Sequence, residues 1–276
     1  MEGWHADDRP GMSFLFSCKL EVSTVAFDLT ITTDERPQPP RLFVYGPEGV
    51  GKTTFGASAP SPVFLRAEDG IVKLRDPYTG VPLKPSRMPV LQSFDHAIEC
   101  LKFLYSNPHQ HQTLVIDSAD WIERLIHQEI MRASNAESMA KAAGGYGAGY
   151  QTALKKWNVL LAWVNALWSK GMAIIFLAHA DPYKFESPEH PAYDRWEPRL
   201  HKTSKALLVE WADAVLFATQ RIQMKETEDG RQLARASFDE RILRCTMQPS
   251  AVAKNRFHLP PEIPLQWAAF AHHLAS

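Results

Sequence analysis

The segment Gly46-Pro47-Glu48-Gly49-Val50-Gly51-Lys52-Thr53 constrains this chain most, because it follows the apolar run Leu42-Phe43-Val44-Tyr45 and opens a helix-forming stretch. It matches G-x-x-x-x-G-K-[ST], with strand, loop and helix in the order that phosphate binding needs. Glycines let the loop curl until successive backbone N–H groups point inward, and a helix starting at Lys52 adds the positive end of its dipole. Lys52 is expected to reach the β- and γ-phosphates of a nucleotide, the Thr53 hydroxyl to ligate Mg²⁺, and Thr54 to complete the cradle. A glycine-rich turn that fitted the pattern by accident would lack these flanks.

Further short apolar runs follow at Val63-Phe64-Leu65, Leu114-Val115-Ile116, Met172 to Ala178 and Ala214-Val215-Leu216-Phe217, separated by helical patterns. Continuous apolar strands alternating with helices predict an α/β fold: a mainly parallel twisted sheet covered on both faces. The clearest helix spans Ala148 to Lys170, where Tyr150, Leu154, Trp157, Leu161, Val164 and Trp168 recur at steps of four and three. Such an aromatic stripe is core packing. Shorter helices are expected after Thr53 and over Phe94 to Tyr105, Asp120 to Ala133 and Ser204 to Trp211. Arg221 to Lys225 and Arg241 to Met247 read as strands joined through the Asp229-Gly230 turn, an antiparallel extension of the sheet.

Residues 1–40 read as an irregular lead-in ending in the proline-marked Thr33 to Pro40, with one domain over 41–276. The apolar stretch Met12 to Ile31 is interrupted by Lys19, Glu21 and Asp28, so it reads as neither a secretion signal nor a membrane span. Cys18, Cys100 and Cys245 are scattered singly, which leaves no zinc ribbon or disulfide framework and points to the cytoplasm. Thirty Lys+Arg against thirty-one Asp+Glu give a formal charge of −1, which excludes histone-like binding through a global field. His109, His111, His272 and His273 have no carboxylate or cysteine at ligand spacing and read as solvated.

Thr113-Leu114-Val115-Ile116-Asp117-Ser118 is an apolar strand ending in a carboxylate, the form of a Walker B segment that holds Mg²⁺. A helix N-cap is the competing use of Asp117. Ser118 follows it, so the Asp-Glu pair of many AAA+ enzymes is missing here. The strand Val63 to Leu65 instead runs into Arg66-Ala67-Glu68-Asp69-Gly70, placing Glu68 at the carboxyl end of a strand, where open α/β sheets bind ligands. Glu68 is then either the base that orients the attacking water or a solvated loop acid.

With these segments the chain resembles the RecA-like P-loop ATPases, and more narrowly the short RecA-core ATPases encoded by bacteriophages and grouped with single-strand annealing recombinases. The similarity runs from about Arg41 to Trp267. It implies that Leu65 to Gly70 carries the catalytic glutamate, Glu68. It also implies that Ile174-Ile175-Phe176-Leu177-Ala178-His179 is the strand whose last polar residue senses the γ-phosphate, with His179 where RecA has Gln. Ala253-Lys254-Asn255-Arg256-Phe257 is similar to the Lys-Asn-Arg-Phe-Gly motif of RadA-type ATPases, with His258 replacing the glycine. The resemblance gives Lys254 and Arg256 a place at a subunit boundary, reaching the neighbour's nucleotide; a basic pair on an exposed turn would look the same.

RecA-like folds hold DNA on two loops facing the oligomer axis. The candidates here are Lys141 to Tyr150, with its glycines and tyrosines, and His179 to Lys205. In the second, Lys184, Arg195, Arg199, Lys202 and Lys205 face Asp181, Glu186, Glu189, Asp194 and Glu197, so the charge cancels. Interleaved aromatic and basic residues suit single strands, where stacking contributes about 1–3 kcal/mol per base. The expected activity is Mg²⁺-dependent ATP hydrolysis by a homo-oligomer, ring or filament, on single-stranded DNA in recombination, annealing or replication. A single-strand-binding protein is a further candidate partner, and no membrane is involved. A nucleoside-type small-molecule kinase, with His179 to Lys205 as its lid, and a nucleotide-switched, helicase-loader-like module are the alternatives.

Overall fold

The computed structural model describes residues 38–68, 73–188, 191–226 and 232–274, with the backbone alone for 222–226 and 232–239. In chain order the strands are β1 (Arg41–Gly46), β2 (Pro62–Arg66), β3 (Leu74–Arg75), β4 (Pro82–Leu83), β5 (Ser86–Arg87), β6 (Thr113–Asp117), β7 (Ala173–Phe185), β8 (Tyr193–Pro198), β9 (Ala214–Glu226), β10 (Gln232–Arg244), β11 (Lys254–Asn255) and β12 (Glu262–Pro264). The helices are α1 (Lys52–Ala57), α2 (Phe94–Ser106), α3 (Ala119–Ala133), α4 (Ala148–Ser169), α5 (Lys202–Trp211) and α6 (Trp267–His272).

Among the described residues the main sheet runs β12-β10-β9-β1-β7-β6-β2-β5, with β11 added on β9 and β8 on β7. The stretch from β9 to β5 is parallel throughout. On the other side β10 and β12 extend the sheet antiparallel. This is the expected α/β P-loop arrangement, and β7 lies between the strand that feeds the phosphate loop and the strand that ends in Asp117.

Strand alternation splits the apolar runs between two cores. Phe43, Tyr45, Leu114, Ile116, Ile174 and Phe176 face α2, α3, α4 and α5. Leu42, Val44, Val115, Ile175 and Leu177 face the other way, toward α1 and α6. Each fully buried side chain of this size contributes about 1.5–3 kcal/mol, so a strand with both faces covered cannot slip register cheaply. Helix α2 starts where the Ser93 hydroxyl accepts the His96 N–H at 3.1 Å, an N-cap. In α4 the buried stripe is Ala153, Trp157, Leu160, Leu161, Val164 and Leu167, while Tyr150, Leu154 and Trp168 sit at its half-buried margin.

Two expectations shift. The strand expected at Met172 to Ala178 continues to Phe185, because β8 returns along it from Tyr193↔Phe185 to Pro198↔Ala180. The second candidate DNA loop is therefore largely a β-hairpin. The strand expected at Arg241 to Met247 begins earlier and ends at Arg244. Residues 38–40 have no regular secondary structure but are tied to the domain: the Pro39 carbonyl accepts the Trp168 indole N–H at 2.6 Å and the Pro40 carbonyl accepts the Ile174 N–H at 2.9 Å. The lead-in up to residue 37, Asp69, Gly70, Glu189 and the Asp229-Gly230 turn lie outside the described residues.

Candidate nucleotide-binding site

The carboxyl ends of β1, β2, β6 and the parallel part of β7 meet along one edge of the sheet. Gly46 pairs with His179, and Asp117 lies between Arg66 on one side and Leu177 on the other. Gly46 must be glycine: a Cβ there would come within 2.2 Å of the Ala218 carbonyl oxygen on β9. The loop then turns through Gly49 and Gly51, with φ of +72° and +111°, and delivers Lys52 to the first position of α1. The Lys52 ammonium is buried and donates to the Gly46 and Pro47 carbonyls, both at 2.8 Å. Burial pulls it down to about 8, against the upward pull of Asp117 and other nearby carboxylates. A buried cation held only by loop carbonyls is the counter-charge an anionic phosphate chain needs.

Opposite the loop, the Thr53 hydroxyl donates to Asp117 Oδ2 at 2.9 Å. Asp117 is buried, and burial pushes its carboxyl up to about 6 although the Thr53 bond draws it down. The neighbouring Glu68 charge raises it further, whereas Lys52 and His179 lower it. One hydroxyl and one carboxylate oxygen converging beside a phosphate cradle fit Mg²⁺, which takes few protein ligands and fills its octahedron with water and phosphate oxygens. A cavity of about 320 Å³ joins these groups. Gly49, Gly51, Lys52, Thr53 and Thr54 form one wall, and Glu68, Asp117, His179, Leu74 and Arg241 stand around it. A larger cleft of about 700 Å³ between β5 and α2, lined by His96, Cys100 and His109, contains none of the converging groups.

Comparison with protein families matches residues 38–257 to the family described as an AAA domain. The chain belongs to that family. No curated protein matches it. It therefore carries an AAA-type P-loop ATPase domain, a nucleotide-binding unit built for nucleotide hydrolysis. Among its described residues no helix is long and apolar enough to cross a membrane.

Not every expected residue of this AAA domain reaches the cavity. Lys254 and Asn255 pair with Val215 and Ala214, and Ala214 pairs with Leu42, so they lie at the opposite edge of the sheet from the phosphate loop. The Lys254 ammonium donates to the Val209 and Glu210 carbonyls at 3.0 and 2.7 Å, closing the carboxyl end of α5. Arg256 is 57% exposed and meets Asp213 at 3.3 Å, a carboxylate that Arg41 already holds at 2.8 Å.

The hairpin of β7 and β8 consumes much of its own charge. Arg199 pairs with Asp181 at 2.8 Å and reaches Glu48 of the phosphate loop at 3.4 Å, while Glu197 takes both Arg195 and Lys205. Lys184 and Lys202 remain without an ion pair among the described residues. In the first candidate loop Lys141 pairs with Glu137 and Tyr150 stacks on His201 at 3.8 Å, leaving Tyr146 fully exposed. His109 stacks on His111. Among the described residues no three His, Cys, Asp or Glu side chains cluster to hold a metal.

Two residues that the sequence did not single out stand at the site. Asp120, in the first turn of α3, accepts the His179 backbone N–H at 3.1 Å and pairs with its imidazole Nδ1 at 2.9 Å. Arg241, from β10, closes the cavity on the flank away from Asp117. Asp120 follows Asp117, the end of β6, across the start of α3 and reads from sequence only as a helix start. Arg241 has no local signal at all.

Proposed function

We propose that this AAA domain hydrolyses ATP with Mg²⁺, and that it does so as a RecA-like, phage-type homo-oligomer acting on single-stranded DNA. The convergence of Lys52, Thr53, Asp117 and Glu68 on one cavity at the carboxyl edge of the sheet carries the hydrolytic part. Mg²⁺ bound beside Thr53 and Asp117 would neutralise charge on the β- and γ-phosphates. Lys52 binds those phosphates and Glu68 accepts the proton of the attacking water. Electrostatic preorganisation and one positioned base are the main demands of phosphoryl transfer. That the acid comes from the end of β2 rather than from the residue after Asp117 supports the RecA-like reading over the Asp-Glu arrangement.

His179 supports the sensor reading, since it ends the parallel part of β7 at the cavity and its strand continues into the hairpin. Arg256 supports an oligomer: an exposed cation at the edge opposite the chain's own cavity can serve a neighbouring copy's cavity, the arginine-finger logic. Tyr146, exposed between glycines, supports contact with bases. The self-paired hairpin favours a second reading, a nucleoside-type kinase in which β7 and β8 form a lid over the acceptor.

ATP turnover measured with and without single-stranded DNA over a range of protein concentrations tests this. A rise with both is expected. No hydrolysis under any condition overturns the hydrolase reading, and turnover that ignores DNA and concentration but rises with a nucleoside puts the kinase in its place.

A further inference from the structure

We propose that Arg241 is a nucleotide-binding residue that contacts the phosphate chain from the flank opposite Asp117 and Glu68. Its Nη1 stands 3.1 Å from the point where a Cβ on Gly51 would lie, so the guanidinium rests directly against the residue before Lys52. The sheet order explains the geometry. Asp117 and His179 come from β6 and β7 on one side of β1, Glu68 follows β2 beyond them, and Arg241 comes from β10 on the other side.

The surroundings leave this cation without another use. The acids nearest in the sheet, Glu240 and Glu262, are taken by Arg221 at 3.3 and 2.9 Å, and Glu262 also meets Arg244 at 3.4 Å. The Arg241 side chain makes no hydrogen bond or ion pair among the described residues, whereas its backbone carbonyl is fixed by the Leu265 N–H at 2.9 Å. The pairing of β9 with β10 is regular up to Ala236, shifts register, and resumes at Arg241. Such a bulge re-aims the side chain that follows it, and bulges of this kind gather beside functional sites. Arg241 also borders a second cavity of about 250 Å³ lined by Tyr78 and Gln266, so it stands between that cavity and the phosphate cavity.

An unpaired guanidinium with its backbone anchored, beside five phosphate-loop residues, is matched by an anionic oxygen pair. Arginine's planar fork suits phosphate oxygens better than a lysine point charge does. This inference rests on the triphosphate reading of the cavity, and the test separates the two. Binding of a slowly hydrolysed ATP analogue with Mg²⁺ is measured on the full chain for the wild type, Lys52→Ala, Arg241→Ala, Arg241→Gln and Arg241→Lys, with the circular dichroism of each variant recorded.

The expected result is loss of binding in Lys52→Ala and a dissociation constant raised about tenfold or more in Arg241→Ala and Arg241→Gln, with part of the loss recovered in Arg241→Lys. Failure of the wild type to bind overturns the triphosphate reading itself. Wild-type binding that Lys52→Ala abolishes and Arg241→Gln leaves within about twofold overturns the role of Arg241 alone. Should Arg241→Ala lose its native dichroism, Arg241→Gln decides.

Discussion

His179 and Asp120 are joined twice, by the imidazole Nδ1 at 2.9 Å and by the His179 backbone N–H at 3.1 Å, so one carboxylate fixes both the position and the ring of the residue that ends the parallel part of β7. Asp120 is buried. Burial alone would raise its carboxyl, but the hydrogen bonds and charge of His179 outweigh this and hold it below the usual carboxylate range. Because Asp120 lies in the first turn of α3, soon after Asp117, the pair links the strand at the cavity to the helix turn beyond it.

Asp120→Asn keeps the shape and removes the charge. If the pair positions His179 for catalysis, kcat should fall about tenfold, the worth of one charged hydrogen bond, while KM stays near its wild-type value. Steady-state kinetics in both parameters checks it, and equal values for variant and wild type sink the idea.

Gly46 and Gly49 should differ sharply although both belong to the same loop pattern. A Cβ on Gly46 meets the Ala218 carbonyl oxygen at 2.2 Å inside the sheet, and neither strand can yield without breaking its pairing. A Cβ on Gly49 meets nothing within 4 Å, and only its φ of +72° opposes the change. Gly46→Ala is expected to cost about 3 kcal/mol or more in urea unfolding, the upper range of overpacking. Gly49→Ala should cost only about 1–2 kcal/mol, the penalty for a left-handed L-residue. Equal costs would mean that the register of β1 against β9 is wrong.

The contrast shows which parts of the molecule were legible in its sequence. Lys52, Thr53 and the strand ending in Asp117 were readable because loop, strand and helix are contiguous and their chemistry is local. The order of the parallel strands was not, since only packing decides that β7 comes between β1 and β6. Arg241 was invisible because its closeness to Gly51 depends on two strand pairings, β1 with β9 and β9 with β10, and a bulge. The equal charges of the second candidate loop were countable in advance. That Glu197 would absorb both Arg195, its neighbour on β8, and Lys205, brought back by the turn into α5, is something the charge count does not contain.

Lys52 makes the affinity for nucleotide depend on pH. In the free protein its amine sits at about 8, against an ordinary value of 10.5. The folded chain therefore sheds this proton at lower pH than the unfolded chain. Between these values the unfolded state binds more protons, so stability without nucleotide rises with pH from about 8 to about 10.5, and the cost of the buried ammonium is fully present below that window. Bound phosphate reverses the balance by favouring the charged form. Binding should then take up a proton near pH 8.5 and weaken as pH rises through about 8. Calorimetry in buffers of different ionisation enthalpy measures the uptake. An affinity flat from pH 7 to pH 9.5, with no proton taken up, would show that phosphate does not reach Lys52.

Lys254 and Arg256 are one motif in the sequence and two different devices in the fold. Lys254 closes the end of α5 through two carbonyls, so Lys254→Ala should lower stability by about 1 kcal/mol. Arg256 shares Asp213 with a closer Arg41, so it can leave at little cost and is the cation free to serve a neighbouring chain. Mixing two inactive variants separates action within a chain from action between chains. Glu68→Gln keeps Arg256 but lacks the base, with turnover expected to fall on the order of a hundredfold or more. Arg256→Ala keeps the base but lacks the cation. In a head-to-tail oligomer, a site made of Glu68 from the second chain and Arg256 from the first is complete, and random assortment at equal amounts completes about a quarter of the sites. Turnover of the mixture should approach that fraction of the wild-type rate, whereas a mixture no faster than the average of its two components would confine Arg256 to its own chain.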